Sequence, residues 1–465
     1  MTNLPQDANN LIAHKYAQPF APHIVTGDMP LLPNCQYYLD MPDEDPHIFN
    51  ISFFLETHQP LDDQLLAEAT YIVVSQHDAL RSRFVQIAGN WQVRIANTDG
   101  AIPFSRIDFS HIPPEQQSTA LEVEAEQLQR TLDLSNGPLI RVVHFFLGEN
   151  QPGRLLFVMH HFVTDSFSQG ILLEDFFTAY EQLRQGLPLL LPSKTSSIKA
   201  YAERLVAYAH GDAMQEIELW VTQERLQAVP LPVDYPEGMT TQLVRSTVPI
   251  YLDEEETKAL QSLSQYKVSI RDILLACLYT MYQEWTGESI MLIDYVSNGR
   301  LTPFEDIDLL RTVGYIDYRV PLLLSLDSSF DVGERVDAIK QLFQQLPNYG
   351  MGYHTLRYLG RKEVKNIFKA PLWPQLHVNY FGKTPNNRRG LPWLRPASEE
   401  VRGVQSARRI DPLGIWILIG IDDDILWSRW DYHTKIYKSE TIERLAQLFL
   451  TELKKSIQYY QERSS

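Results

Sequence analysis

Hydrophobic positions along this chain change period most sharply in one stretch. Leu155 to Met159 is an unbroken apolar run of strand length, too short for a free-standing helix and apolar enough to be buried. It leads into His160 and His161, whose side chains point to opposite faces if the strand continues through them. Thr164, Asp165 and Ser166 then break the pattern, and Ser166 with Gln169 three residues on reads as a capping box. Leu172, Leu173, Phe176, Phe177, Tyr180 and Leu183 follow at helical spacing. The stretch is expected to be strand, tight turn and helix, with His161 and Asp165 at the mouth of the turn. A strand fixes such a histidine while the turn exposes it, which suits a catalytic base. A histidine in that place is also commonly a hydrogen-bonded core residue.

Similar patterns organise the rest of the chain. Strands are expected at Phe49 to Glu56, Ser246 to Leu252, Ser289 to Val296 and Arg319 to Leu324. Helices are expected at Asp62 to Ser75, Ser118 to Leu132, Ser196 to Ala209, Asp253 to Gln265, Ser269 to Glu284 and Glu440 to Tyr460. Leu187 to Ser197 is the clearest linker, because its prolines deny both helix and central strand. It suggests a lobe over residues 1–187, carrying the histidines, and a second over 188–465. Residues 383–405, rich in Pro, Gly and Arg, read as a long ordered loop of that second lobe.

Composition narrows the class. With 465 residues, 44% hydrophobic and 21% charged, the chain has ample material for two globular domains, and the strands and helices expected above make them mixed α/β. A net charge of −17 argues against nucleic acid as a partner. The longest apolar stretches, around Leu187 to Leu191 and Ile415 to Ile421, fall far short of a membrane span. The first twenty residues carry no apolar segment like that of a signal peptide, so a cytoplasmic location is expected. Cys35 and Cys277 are the only cysteines and lie far apart, so neither a disulfide framework nor a metal site is expected.

Several motifs carry a resemblance. His160, His161, Asp165 and Ser168 resemble the His-His-x-x-x-Asp-Gly-x-Ser signature of the condensation domains of nonribosomal peptide synthetases and their epimerization-domain relatives. Ser166 stands where that signature has Gly. Residues 30–38, 76–84, 307–315, 348–359 and 378–382 resemble further family motifs in the right order, the later ones closest to the epimerization branch. The resemblance implies two chloramphenicol-acetyltransferase-like lobes in a V-shape, with a tunnel between them. It implies His161 as the catalytic residue and His160 as a packing residue on the opposite face. Asp165 is implied to be structural, in a salt bridge to Arg300, with Ser168 supporting. Ser166, Val296, Tyr315, Asn379 and Tyr380 are expected to line the tunnel and meet substrate.

By the same resemblance, the chain is expected to join a carrier-bound acyl or aminoacyl thioester to an amine or hydroxyl acceptor, forming an amide or ester. The phosphopantetheine arm of a carrier protein would present the substrate, and no tightly bound cofactor is expected. The chain begins at Met, and carrier and adenylation motifs do not occur in it. It therefore reads as a free-standing, monomeric enzyme meeting its carrier proteins in trans. Two basic clusters offer docking sites: Arg357, Arg361, Lys362, Lys365 and Lys369, and Arg388, Arg389 and Arg395. One alternative is an epimerase of carrier-bound aminoacyl groups. In the epimerization family a Glu two residues from His-Gly-Arg handles a second proton; aligned on Arg300, that position is Val296, with Asp294 the nearest substitute. The other alternative is a non-catalytic docking or scaffold protein.

Overall fold

The apolar run forms the strand Gly153–His160, paired antiparallel with Ile140–Phe146 on one side and Asn50–Thr57 on the other. The computed structural model that shows this describes residues 2–3, 11–12, 15–16, 24–41, 45–98, 100–222, 229–237, 244–368, 374–383, 393–405 and 414–463. Phe104–Asp108 runs parallel to Ile140–Phe146, and Thr2–Asn3 pairs outside it. A parallel pair needs a crossover, and the helix Pro114–Leu128 supplies it. Leu121, Ala125 and Leu128 of that helix pack with Phe54, Val143, Phe145, Leu156 and Val158 of the sheet. From the opposite face of the strand, Phe157 meets Phe176 edge-on at 4.9 Å. Both faces are therefore covered, which is why Leu155 to Met159 are apolar without alternation.

The chain divides into two compact units, the first made of Met1–Leu205, Phe304–Ile316 and Asn386–Arg409. An uninterrupted lobe over 1–187 does not describe it. Leu394–Pro396, expected within a loop of the second lobe, is a strand on the edge of the first unit's sheet, with Leu394 opposite Thr57. Pro396 is tolerated because an edge strand leaves one row of N–H groups unused. The buried carboxylate of Glu399 anchors this return through Arg154, whose Nη2 and Nε lie 2.9 and 3.0 Å from its oxygens. Phe304–Ile316 joins the same unit through Thr312, whose hydroxyl donates to the Ser196 carbonyl at 2.6 Å, and Asp308, whose N–H donates to Ser196 Oγ at 3.0 Å.

The second unit holds a six-stranded mixed sheet in the order Tyr318–Ser325, Ile290–Ser297, Leu376–Lys383, Ile415–Asp422, Ile425–His433, Arg245–Tyr251. Its apolar face, with Ile293, Tyr295, Val320, Val378, Ile417 and Trp430, is buried. Trp430 meets Phe449 of the helix Ser439–Glu462 at 5.7 Å. Helices Glu254–Ser262 and Val332–Gln345 start on complete capping boxes, Asp253 with Glu256 and Asp331 with Glu334. The opposite face mixes polar with apolar residues. Adjacent strands place Asp294 beside His377, Val296 beside Asn379 and His377 beside Trp416.

Candidate active site

The strand stops at His160, and His161–Val163 continues as one turn of 3₁₀ helix. His160 is fully buried. Its Nδ1 accepts the Phe162 N–H at 3.1 Å, so the proton sits on Nε2, 3.0 Å from the Pro46 carbonyl oxygen. Burial pushes this imidazole down to about 3, so it stays neutral.

His161 has the opposite tautomer. Its Nδ1 lies 2.8 Å from the carbonyl oxygen of Thr164, which can only accept, so Nδ1 carries the proton and Nε2 keeps a lone pair. The ring is half-buried. Phe49 lies nearly parallel to it at 4.7 Å and Tyr315 is tilted against it at 4.3 Å. The backbone joins in, because the His161 N–H donates to the Phe49 carbonyl at 2.7 Å.

The helix Ser166–Arg184 begins on Asp165 rather than on Ser166, so the expected Ser166–Gln169 capping box is not what caps it. Asp165 is extended (φ −127°, ψ 179°) and its Oδ1 accepts the Ser168 N–H at 2.7 Å. A carboxylate accepts more strongly than a hydroxyl and complements the helix N-terminus. Its Oδ2 accepts the Ile316 N–H at 3.0 Å, so both oxygens of this buried group serve the backbone. Ser168, also buried, donates its hydroxyl to the Gly314 carbonyl at 3.0 Å and accepts the Gly314 N–H at 3.1 Å. A Cβ at Gly314 would lie 2.6 Å from Ile198 Cδ1, so the Ile198 side chain would have to shift to admit one. Ser166 is the exposed first helical residue without positive φ, so the position does not demand glycine.

His160, His161, Asp165, Ser168 and Tyr315 thus gather in the first unit. Phe49, Thr164 and Ile316 complete the group, although the sequence did not single them out. Phe49 sits at the start of a predicted strand, but only strand register brings it to His161.

Val296, Arg300, Asn379 and Tyr380 belong to the second unit. Arg300 is buried, and its N–H donates to Asn298 Oδ1 at 2.9 Å. Val296 and Asn379 share one face, while burial pushes Tyr380 up to about 12. Asp294 is buried with Arg319 Nη1 at 2.7 Å and His377 Nδ1 at 2.8 Å. Burial alone would raise its carboxyl, but the Arg319 charge and the His377 hydrogen bond hold it below the usual carboxylate range. Of the basic clusters, Arg361, Lys362, Lys365 and Arg395 are exposed, and Arg357 donates to the Phe368 carbonyl at 2.6 Å. Lys369, Arg388 and Arg389 lie outside the described residues. Among the described residues no helix is long and apolar enough to cross a membrane, and no group of three or more His, Cys, Asp or Glu is placed to hold a metal ion.

Comparison with known proteins agrees with this architecture. The chain is 37% identical over 450 residues to a linear gramicidin synthase protein of Brevibacillus parabrevis, and 30% identical over 433 to the chondramide synthase of Chondromyces crocatus. These matches cover 93% and 92% of the chain, but only 8% and 11% of those much longer proteins. The epimerization domain from the third module of tyrocidine synthetase B superimposes with a TM-score of 0.85 at 24% identity, covering 95% of this chain and 98% of that one. The family model for the condensation domain matches residues 25–464. The chain therefore belongs to the condensation-domain superfamily of nonribosomal peptide synthetases, which includes the epimerization domains.

Proposed function

We propose that this chain condenses a carrier-bound acyl or aminoacyl thioester with an amine, or with a hydroxyl to give an ester, and that it acts in trans on separate carrier proteins. The observation that carries this reading is the tautomer of His161. With Nδ1–H held by Thr164, Nε2 accepts the proton as the amine nitrogen attacks the thioester carbon. The C–S bond then breaks, and the same proton passes to the departing phosphopantetheine thiolate. No redox partner is needed. Positioning the two substrates supplies much of the remaining rate. In this reading Asp165 and Ser168 hold the turn, Arg300 pairs with Asp165, Tyr315 stands against the His161 ring, and Ser166, Val296, Asn379 and Tyr380 meet substrate.

Epimerization needs a second proton-handling group across the substrate. Val296 transfers no proton, and Asp294 is committed to Arg319 and His377. The test is mass spectrometry of carrier-bound aminoacyl substrate, with and without an amine acceptor, in deuterated buffer. Amide or ester product without deuterium at the α-carbon supports condensation. Enzyme-dependent deuterium uptake there makes the chain an epimerase, and neither change across a panel of substrates supports a docking or scaffold protein.

A further inference from the structure

We infer that Asp165 and Ser168 serve the reaction through Tyr315, holding the backbone on either side of it so that its ring fixes the plane of the His161 imidazole. This rests on His161 being the base proposed above. The Thr164 carbonyl holds the Nδ1 edge of the imidazole. Phe49 lies nearly parallel to it, with 19° between planes. A parallel neighbour alone permits sliding and rotation in the shared plane. Tyr315 closes the second direction, at 44° to the imidazole and 62° to Phe49, with the Phe49 and Tyr315 centroids 6.5 Å apart. The two walls together set where the Nε2 lone pair points.

Tyr315 comes from a segment remote in sequence, so its place depends on anchors. Gly314 before it is clamped at both backbone groups by the Ser168 hydroxyl, and Ile316 after it is held by Asp165 Oδ2. Upstream, Arg311 donates to Glu174 at 2.6 Å and to Asp175, both on the helix that Asp165 caps. Two residues of the motif thus grip the backbone immediately before and after one aromatic ring, and that ring touches the histidine. Tyr315 and Ser168 are positioning residues in this scheme, and their effect should pass along one path.

The experiment is a double-mutant cycle on the full chain with Ser168→Ala and Tyr315→Leu, the latter keeping apolar volume while removing the flat face. Each single change should lower kcat by about 10-fold or more with little change in KM, since small misplacements of a reacting group cost up to about 10²-fold. Ser168→Ala should cost little more in the Tyr315→Leu background, and Tyr315→Phe should recover most of the rate. Ring-nitrogen signals of labelled histidine, assigned to His161 with His161→Gln, should shift in Tyr315→Leu without substrate. Additive losses, or a Tyr315→Leu protein with unchanged His161 signals and rate, overturn the inference. If instead His161→Ala keeps the full rate, the proposed base is wrong, whereas the ring signals still decide whether Tyr315 fixes the imidazole.

Discussion

Replacing Asp165 by Ala tests whether this residue is chiefly structural. Its two oxygens accept one backbone N–H each, from Ser168 at 2.7 Å and Ile316 at 3.0 Å. Losing an N-cap acceptor costs about 0.5 to 2 kcal/mol. Leaving the second N–H without its acceptor costs about 1 to 3 kcal/mol more. The sum, about 1.5 to 5 kcal/mol, corresponds to a melting temperature lower by about 3 to 20 °C for a cooperative unit of this size. Asp165→Asn should lose less, because asparagine remains a good N-cap and gives up mainly the Ile316 contact. Urea unfolding followed by tryptophan fluorescence, with melting curves, measures both variants. The proposed pairing with Arg300 enters through Arg300→Ala: a coupling of about 1 kcal/mol or more in the double variant supports it, and simple additivity removes it. An Asp165→Ala protein as stable as the parent but inactive would refute the structural assignment and point to direct catalysis.

The remaining predictions concern neighbouring parts of the molecule. His161→Ala should reduce product formation by about 10²- to 10⁴-fold with an unchanged melting temperature, as removal of a general base does; a rate near the parent's would exclude it as the base. Burial holds His160 and His354 neutral down to about 3, whereas unfolded histidine titrates near 6.5. Between those values the unfolded state binds more protons, so stability falls as pH drops, by up to about 1.4 kcal/mol per pH unit for each histidine. His160→Gln should make that acid slope shallower, and an unchanged slope in urea titrations at several pH values counts against it. Gly314→Ala should destabilise the first unit and slow catalysis, because the new Cβ would press on Ile198; a fully stable, active variant would show that the segment relaxes freely. Charge reversal at exposed Arg361 and Lys362 should raise KM for carrier-bound substrate while sparing kcat, and an unchanged KM rules out that patch for docking.

Local pattern carried much of this protein. The period change from Leu155 to Leu183 was enough to place strand, turn and helix, because side-chain direction repeats every two residues in one and every 3.6 in the other. The same logic located the helices Asp63–Gln76, Ile270–Thr286 and Ser439–Glu462 to within a few residues. Motif order pointed to the family through residues scattered over most of the chain. Periodicity says which face a residue takes, however, and not which strand lies opposite. Phe49 reaches His161 only through the register of Asn50–Thr57 on Gly153–His160. Leu394–Pro396 is too short to show a period and contains a proline, so its place on an edge depended on a distant strand with open hydrogen-bonding groups. The choice between Asp165 and Ser166 as cap was likewise tertiary. Only when Ile316 and Gly314 return from far along the chain do the second carboxylate oxygen of Asp165 and the hydroxyl of Ser168 acquire their partners.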